Sequence, residues 1–240
     1  MRVFVAAFIV LVSVSFGFSQ KQRTQNKKVP GTIPVKEGTE LREATVKLDA
    51  GTVTGRSYIN PTLSFQVTFP DSWLIPGPDF EAYMKSAGFD LHTLNTEALG
   101  PLAKQRFAKN VTVLLTAYRS MPGTPDNAFF LIAAENISNI PQIKDAVDYV
   151  DVVRQSLLNA KLPATFKVGE TDAEKLGAMQ FAFLDTSTGT QKRRVYVTVR
   201  DGYAVLFAVS YVSDDDLTTA RDVLRTGDFF LPTRDNVPAN

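Results

Sequence analysis

The sequence predicts an α+β domain built on a single antiparallel β-sheet with helices packed on both faces, an α/β/α sandwich. Three observations predict this fold class. The segment 128–134 is almost entirely apolar, which is typical of a strand covered on both faces. The segments 178–184, 193–199 and 203–212 follow one another as a three-stranded meander. Residues 141–160 carry the apolar periodicity of an amphipathic helix.

The N-terminus has the pattern of a secretory signal peptide, assigned to residues 1–19. Arg2 precedes an apolar run, and Gly17 and Ser19 place small residues where a signal peptidase cleaves. Cleavage after Ser19 gives a mature chain that starts at Gln20 in an extracytoplasmic space, periplasmic or secreted. The alternative is a retained anchor, but the apolar run is shorter than the roughly 20 residues that cross a bilayer. No stable membrane span is therefore expected after cleavage.

Composition excludes several classes of protein. The chain has 0 Cys, so disulfides, thiolate metal sites and thiol nucleophiles are excluded. Its 26 Lys and Arg against 25 Asp and Glu lack the basic excess of a nucleic-acid-binding protein, and no nucleic-acid partner is expected. Stability must come from burial, for which 44% hydrophobic residues with 17 Phe provide the material.

The chain divides into a tether, one domain and a tail. Residues 20–55 are polar and basic, with too little apolar surface to order themselves, and predict a flexible tether. Leu41, Val46 and Leu48 leave open one weak strand near its end. Residues 56–232 form the single α+β domain, and residues 233–240 form a short C-terminal tail.

The first half of the domain is predicted to alternate strands and helices. Apolar and polar residues alternate from Leu63 to Phe69, which indicates a strand with one buried face. A helix opens at Pro78 and presents an apolar stripe of Phe80, Tyr83, Met84 and Ala87. A second helix is predicted over 101–109, a strand over 111–118, and a helix over 141–160 whose inward stripe is Ile143, Ala146, Val147, Val150, Val153 and Leu157.

The second half adds a short strand over 165–168, the meander and a last helix. Asp201 and Gly202 are the pair that a two-residue primed hairpin turn requires. Ser213 and Asp216 form a capping box that starts the final helix, and Gly227 ends it. The predicted order is β-α-α-β-β-α-β-β-β-β-α.

A motif at the start of the domain resembles the opening strand of PsbP-like and Mog1-like domains, in which an aromatic-rich strand ends at a proline with a tryptophan shortly after. It reads Tyr58-x-Asn60-Pro61-x-Leu63-Ser64-Phe65-x-Val67-x-Phe69-Pro70-x-x-Trp73. The closing meander, helix and Phe229 or Phe230 are similar too, so the resemblance covers about residues 58–230. It implies a PsbP/Mog1-like α/β/α sandwich that acts as an accessory or binding module by docking to larger assemblies.

Four residues are candidates for a partner or ligand surface. Lys192, Arg193 and Arg194 form a positive cluster beside a hairpin end, which either blunts a sheet edge or docks an acidic partner. Trp73 either packs in the core or lines a pocket with the aromatic helix that begins near Phe80.

No catalytic, metal or cofactor motif is found. His92 is the only histidine, and no Gly-x-Ser-x-Gly elbow exists to partner it. The run Asp214 to Asp216 fits either an oxygen-ligand cation site or acids in the first turn of a helix, and the helix is favoured. We therefore expect no catalytic residue, no metal ligand and no cofactor.

Three functions remain open. The first is an exported, non-catalytic module that docks to an unidentified protein partner or assembly. The second is a small-molecule or lipid carrier with an apolar cavity between the sheet and the Phe80 helix. The third is a hydrolase whose site lacks a recognisable motif. The sequence does not define the oligomeric state.

Overall fold

The computed structural model describes residues 47–86, 109–121, 124, 128–160 and 162–230. The predicted signal peptide, most of the tether, His92 and most of the predicted helix over 101–109 lie outside the described residues, as does the C-terminal tail. Within the described residues, no helix has the length and apolar character needed to cross a membrane.

The described elements follow the predicted order closely. The strands are β1 (Thr52–Thr54), β2 (Ser57–Asn60), β3 (Phe65–Thr68), β4 (Val111–Tyr118), β5 (Phe129–Asn136), β6 (Phe166–Leu176), β7 (Met179–Thr188), β8 (Gln191–Arg200) and β9 (Tyr203–Tyr211). The helices are α1 (Pro78–Ser86), α2 (Ala146–Leu158) and α3 (Asp214–Arg225).

The prediction of a single sheet is wrong, because the strands form two antiparallel sheets. A three-stranded sheet has the order β1-β2-β3, and a six-stranded sheet has the order β4-β5-β9-β8-β7-β6. The opening strand β3 pairs with β2 instead of joining the large sheet, since Asn60 and Phe65 bracket a tight turn. The large sheet contains the predicted meander, extended to four consecutive strands by β6.

Two apolar layers sandwich the large sheet, as the apolar run of β5 predicts. One layer contains Phe130 and Ile132 of β5, the small sheet and α3. The other contains Phe129 and Leu131 of β5 together with α2. Strand β5 lies between both layers, so nearly all of its side chains are buried. One face is thus covered by α2, and the other by the small sheet and α3.

Helix α2 begins later than predicted. Asp145 is its N-cap, and its carboxylate accepts hydrogen bonds from the backbone N–H groups of Val147 and Asp148, 2.9 Å each. Val147 is 44% exposed, whereas Tyr149 is buried. The predicted inward stripe is therefore wrong at Val147 and omits Tyr149.

The meander turn and the last helix are confirmed. Asp201 and Gly202 have φ values of 48° and 80°, as a primed turn requires. The Ser213 side chain accepts a hydrogen bond from the Asp215 N–H at 3.1 Å and caps α3. The strand predicted over 165–168 is longer in the structure, where β6 spans Phe166–Leu176.

The last part of the predicted tether belongs to the folded domain. Strand β1 pairs along its whole length with β2. The Tyr58 hydroxyl donates to the Ala50 carbonyl at 2.8 Å, and the buried Asn60 amide donates to the Asp49 carbonyl at 2.9 Å. Leu48 is partly buried against the core. Leu48 and residues 52–54 thus pack on or pair with the domain that the sequence predicts to begin at residue 56.

Candidate partner-binding groove

Trp73 lies in the core and not on a surface. It is 2% exposed, and its ring centroid lies 6.3 Å from that of Phe69 and 6.4 Å from that of Phe130. Arg56 fixes the surrounding loop through hydrogen bonds to the carbonyls of Phe69, Pro70 and Trp73. Trp73 thus packs in the core.

The basic cluster of β8 is divided between the two faces of the sheet, because side chains alternate along a strand. Arg193 lies on the α2 face with Val195, is 6% exposed, and burial lowers its pKa to about 10. Lys192 and Arg194 lie on the α3 face. The sequence cluster is therefore not a single patch, and only these two residues share a surface.

Arg194 is held in place by a network on that face. Its Nε and Nη2 donate to the two Asp185 carboxylate oxygens at 2.8 and 2.6 Å, and its guanidinium lies 4.1 Å from the Phe183 ring centroid. Burial opposes the charge of Arg194, but its hydrogen bonds to Asp185 and Tyr196 outweigh that cost and raise its pKa. Tyr196 in turn donates to Glu174 at 2.8 Å. Arg194 and Asp185 thus neutralise each other's charge.

A surface groove of about 360 Å³ opens beside this network. Four directly paired positions form a row across its width: Lys167 of β6, Ser187 of β7, Lys192 of β8 and Tyr211 of β9. Directly opposed residues share a face, so this row presents two ammonium groups and two hydroxyls together. The full lining is Lys167, Val168, Gly169, Asp185, Thr186, Ser187, Gly189, Lys192 and Tyr211.

One wall of the groove is a β-bulge in β6. The register shifts between Val168 and Thr171, so that Gly169 and Glu170 oppose Asp185 alone. The backbones approach closely here, because a Cβ at position 169 would lie only 3.2 Å from the Asp185 carbonyl oxygen.

Helix α2 holds this bulge from the opposite face of the sheet. Arg154 Nε donates to the Gly169 carbonyl at 2.8 Å, and its Nη2 lies 2.6 Å from Glu170 Oε1. The Thr171 hydroxyl donates to Asp151 at 2.5 Å. The first contact binds the backbone of the groove wall and the other two bind its side chains, so α2 supports this wall.

Lys192, which lines the groove, forms an exposed ion pair. Its Nζ lies 2.9 Å from Asp214 Oδ1, and the side chains are 46% and 82% exposed. The hydrogen bond and charge of Asp214 raise the pKa of Lys192. Nζ also lies 5.8 Å from the Tyr211 ring centroid. Because the pair is so exposed, its net contribution to stability is small.

The acids at the start of α3 serve the helix and the sheet. Asp214, Asp215 and Asp216 lie in the first helical turn, where negative charge is favourable. Asp216 pairs with Arg119 at 3.6 Å. Their contacts are therefore those of acids in the first turn of a helix. Among the described residues, no cluster of three or more His, Asp or Glu is placed to hold a metal ion.

The apolar interior beneath α2 is closely packed. A void of about 10 Å³ lies between Tyr149 and Val153 of the helix and Leu184, Val195 and Leu206 of the sheet. That volume holds at most about one water molecule. On the opposite face, rings such as Phe65, Phe207 and Phe229 contact one another at centroid distances of 5.4 to 6.0 Å. Neither location offers space for a lipid.

Sequence reasoning identified one of the four residues in the row, Lys192. Lys167, Ser187 and Tyr211 are distant in sequence, and only the strand register brings them together. Gly169 was a detectable signal, since a glycine inside a strand pattern often marks a bulge.

Comparisons with known proteins give distant similarities of fold. No family model matches the chain, and no curated protein matches it. The structure is similar to cyanobacterial PsbP (CyanoP) from Synechocystis, with a TM-score of 0.43 and 12% identity over 75% of this chain and 98% of that one.

LpqN, involved in cell envelope biogenesis of Mycobacterium tuberculosis, gives a TM-score of 0.37 and 13% identity over 68% of this chain and 82% of that one. A Bacteroides thetaiotaomicron protein gives 0.36 and 13% over 75% of this chain and 50% of that one. The expected similarity to PsbP is thus found only loosely, and the Mog1-like similarity stays a prediction.

Proposed function

We propose that this protein is an extracytoplasmic, non-catalytic binding module that docks a protein partner through the groove between the β6 bulge and Tyr211. The observation that carries this proposal is the bulge itself. A register shift, a glycine under steric restriction and three contacts from α2 together maintain one open recess at the end of a sheet.

The composition of the groove supports binding more than chemistry. Its potentially reactive groups are two lysines, hydroxyls and Asp185, and Asp185 is engaged by Arg194 in a two-point ion pair. The volume of about 360 Å³ is at the small end of the range of roughly 300–1,000 Å³ for ligand sites, and the recess is open to solvent. Such a recess suits a short segment or a few side chains of a partner surface.

The proposal is tested by site-specific photo-crosslinking of the full chain in its native host. A photoreactive phenylalanine analogue replaces Ser187 in the groove, and in a matched control it replaces Gln180, which is exposed at the opposite end of β7. We expect a recurrent crosslinked protein from position 187 that is absent at position 180. Equal patterns at both positions, or no crosslinked protein at position 187, would refute docking through the groove.

A further inference from the structure

We propose that the groove recognises an extended acidic segment of the partner, with two carboxylates of alternate residues bound by Lys167 and Lys192, and that Asp214 competes with this segment for Lys192. The inference rests on the proposed docking function and gives the groove its chemical specificity.

The spacing of the two lysines suits such a segment. Lys167 and Lys192 lie two strands apart in one row, with Ser187 between them. Adjacent strands are about 4.8 Å apart, so the two backbone positions are separated by about 10 Å. Side chains on the same side of an extended peptide repeat about every 7 Å, and the flexible lysine stems span the remaining difference.

The charge of the groove favours an anionic occupant. Asp185, the one acid of the lining, is neutralised by two hydrogen bonds from Arg194. The ammonium groups of Lys167 and Lys192 also line the groove. The Ser187 and Tyr211 hydroxyls lie in the same row and are able to donate further hydrogen bonds.

Asp214 already shows the type of ligand that Lys192 accepts. Its carboxylate lies 2.9 Å from Lys192 Nζ on a side chain that is 82% exposed. A carboxylate from the partner would replace one ion pair by an equivalent one, at little net cost. The released Asp214 keeps a favourable position, because it stays at the N-terminus of α3. The observations therefore favour a carboxylate-bearing protein segment over a phosphate-bearing lipid surface.

The test is a nuclear magnetic resonance titration of the full exported chain with a capped peptide, Gly-Ser-Asp-Thr-Asp-Ser-Gly. Its counterpart has Asn at both Asp positions. We expect shifts at Gly169 and Ser187 with the acidic peptide only, and weaker binding at 1 M salt than at 0.05 M, because screening shortens the Debye length.

The lysine variants test which groups bind. Lys167→Gln and Lys192→Gln should each weaken binding at least threefold. Lys175→Gln, on the same strand but outside the groove lining, should change it less than twofold. Equal effects of all three variants, or equal binding of the Asn peptide, would overturn the assignment.

The competition by Asp214 makes the sharpest prediction. Asp214→Asn should strengthen binding about two- to fivefold, because a competing ion pair this exposed is weak. Asp215→Asn removes the same charge from the same helical turn without breaking the Lys192 pair, and should leave binding nearly unchanged. Weaker binding by Asp214→Asn, or an equal gain in both variants, would refute the competition.

Two outcomes separate this inference from the proposed function. If position 187 crosslinks a protein but the acidic peptide does not bind, docking stands and its acidic chemistry is wrong. If vesicles containing phosphatidylglycerol bind through Lys167 and Lys192 while the peptide does not, the occupant is a lipid surface and the inference is wrong.

Discussion

Residues 47–55 are predicted to be required for the stability of the domain, and the test compares a chain that starts at Lys47 with one that starts at Arg56. The shorter chain loses β1 and the two carbonyls, at Asp49 and Ala50, that accept hydrogen bonds from Asn60 and Tyr58. Asn60 is 0% exposed and Tyr58 is 1% exposed, so both donors are deeply buried in the intact domain.

The expected cost follows from those two donors. Losing the partner of a buried donor costs about 1–3 kcal/mol, and water that reaches the uncovered site recovers part of it, so the pair should cost about 2–4 kcal/mol in free energy of unfolding. For a domain of this size that corresponds to a drop of roughly 4–16 °C in Tm. Urea unfolding followed by tryptophan fluorescence measures it, since Trp73 is the only tryptophan and is buried.

A thermodynamic cycle isolates the hydrogen bond from the rest of the deletion. Tyr58→Phe in the chain from Lys47 should cost about 1–3 kcal/mol, because the Ala50 carbonyl loses its donor and the Asn60 amide loses the hydroxyl that it donates to at 3.0 Å. In the chain from Arg56 the Ala50 carbonyl is already gone and only the second loss remains, so the same substitution should cost about 1 kcal/mol less. Equal stability of the two chains would show that the segment is dispensable and that the reasoning is wrong.

Three further predictions concern the core and the turns. Trp73→Ala should cost about 3–5 kcal/mol in free energy of unfolding, and an unchanged urea midpoint would contradict its burial. Gly177→Ala should cost about 1–3 kcal/mol, because position 177 has a φ of 61° and a Cβ there would overlap the Arg225 carbonyl; equal melting temperatures would contradict this. Stability should fall as pH rises from 10 through 12, since burial holds neutral phenols whose unfolded pKa is about 10. Tyr149→Phe should reduce that slope, and an unchanged slope in this variant would exclude its contribution. Burial raises the pKa of Tyr149 well above its ordinary value and raises the pKa of Tyr58, Tyr118 and Tyr196 to about 12. Burial also raises the pKa of Tyr203 and Tyr211.

Sequence reasoning succeeded where a pattern is imposed by burial or by local backbone geometry. The apolar run of β5 predicts a strand between two layers, because both faces of that strand exclude water. Asp201 and Gly202 predict the primed turn, because few other residues tolerate two positive φ values in succession. Such features depend on neighbours along the chain, which the sequence contains directly.

Sequence reasoning failed at β1 because this strand buries none of its side chains. Thr52, Val53 and Thr54 are all exposed, so no apolar alternation distinguishes them from a polar tether. Their order comes from backbone pairing with β2 and from Asn60 and Tyr58, whose donors reach the preceding carbonyls. The information lies in the partner residues and not in the segment itself.

The groove was missed for a related reason. Its two lysines are separated by two hairpin turns and a bulge, and a shift of one residue in either strand pairing would send one of them to the opposite face. The sequence instead predicts a positive cluster of Lys192, Arg193 and Arg194, although the alternation of side chains along β8 divides it between two faces. Proximity in sequence was therefore a poor guide to a shared surface.

The stability of α3 decides whether Asp214 is able to act as a competitor. Asp215 and Asp216 remain in the first turn when Asp214 is replaced by Asn, and Asp216 keeps its pair with Arg119. Losing one of three terminal acids and one exposed ion pair should therefore change the free energy of folding little. Urea midpoints of Asp214→Asn and Asp215→Asn should then nearly coincide, while their peptide affinities differ. A large loss of stability confined to Asp214→Asn would mean that the pair with Lys192 anchors the helix, and a group required for folding would be a poor competitor for a ligand.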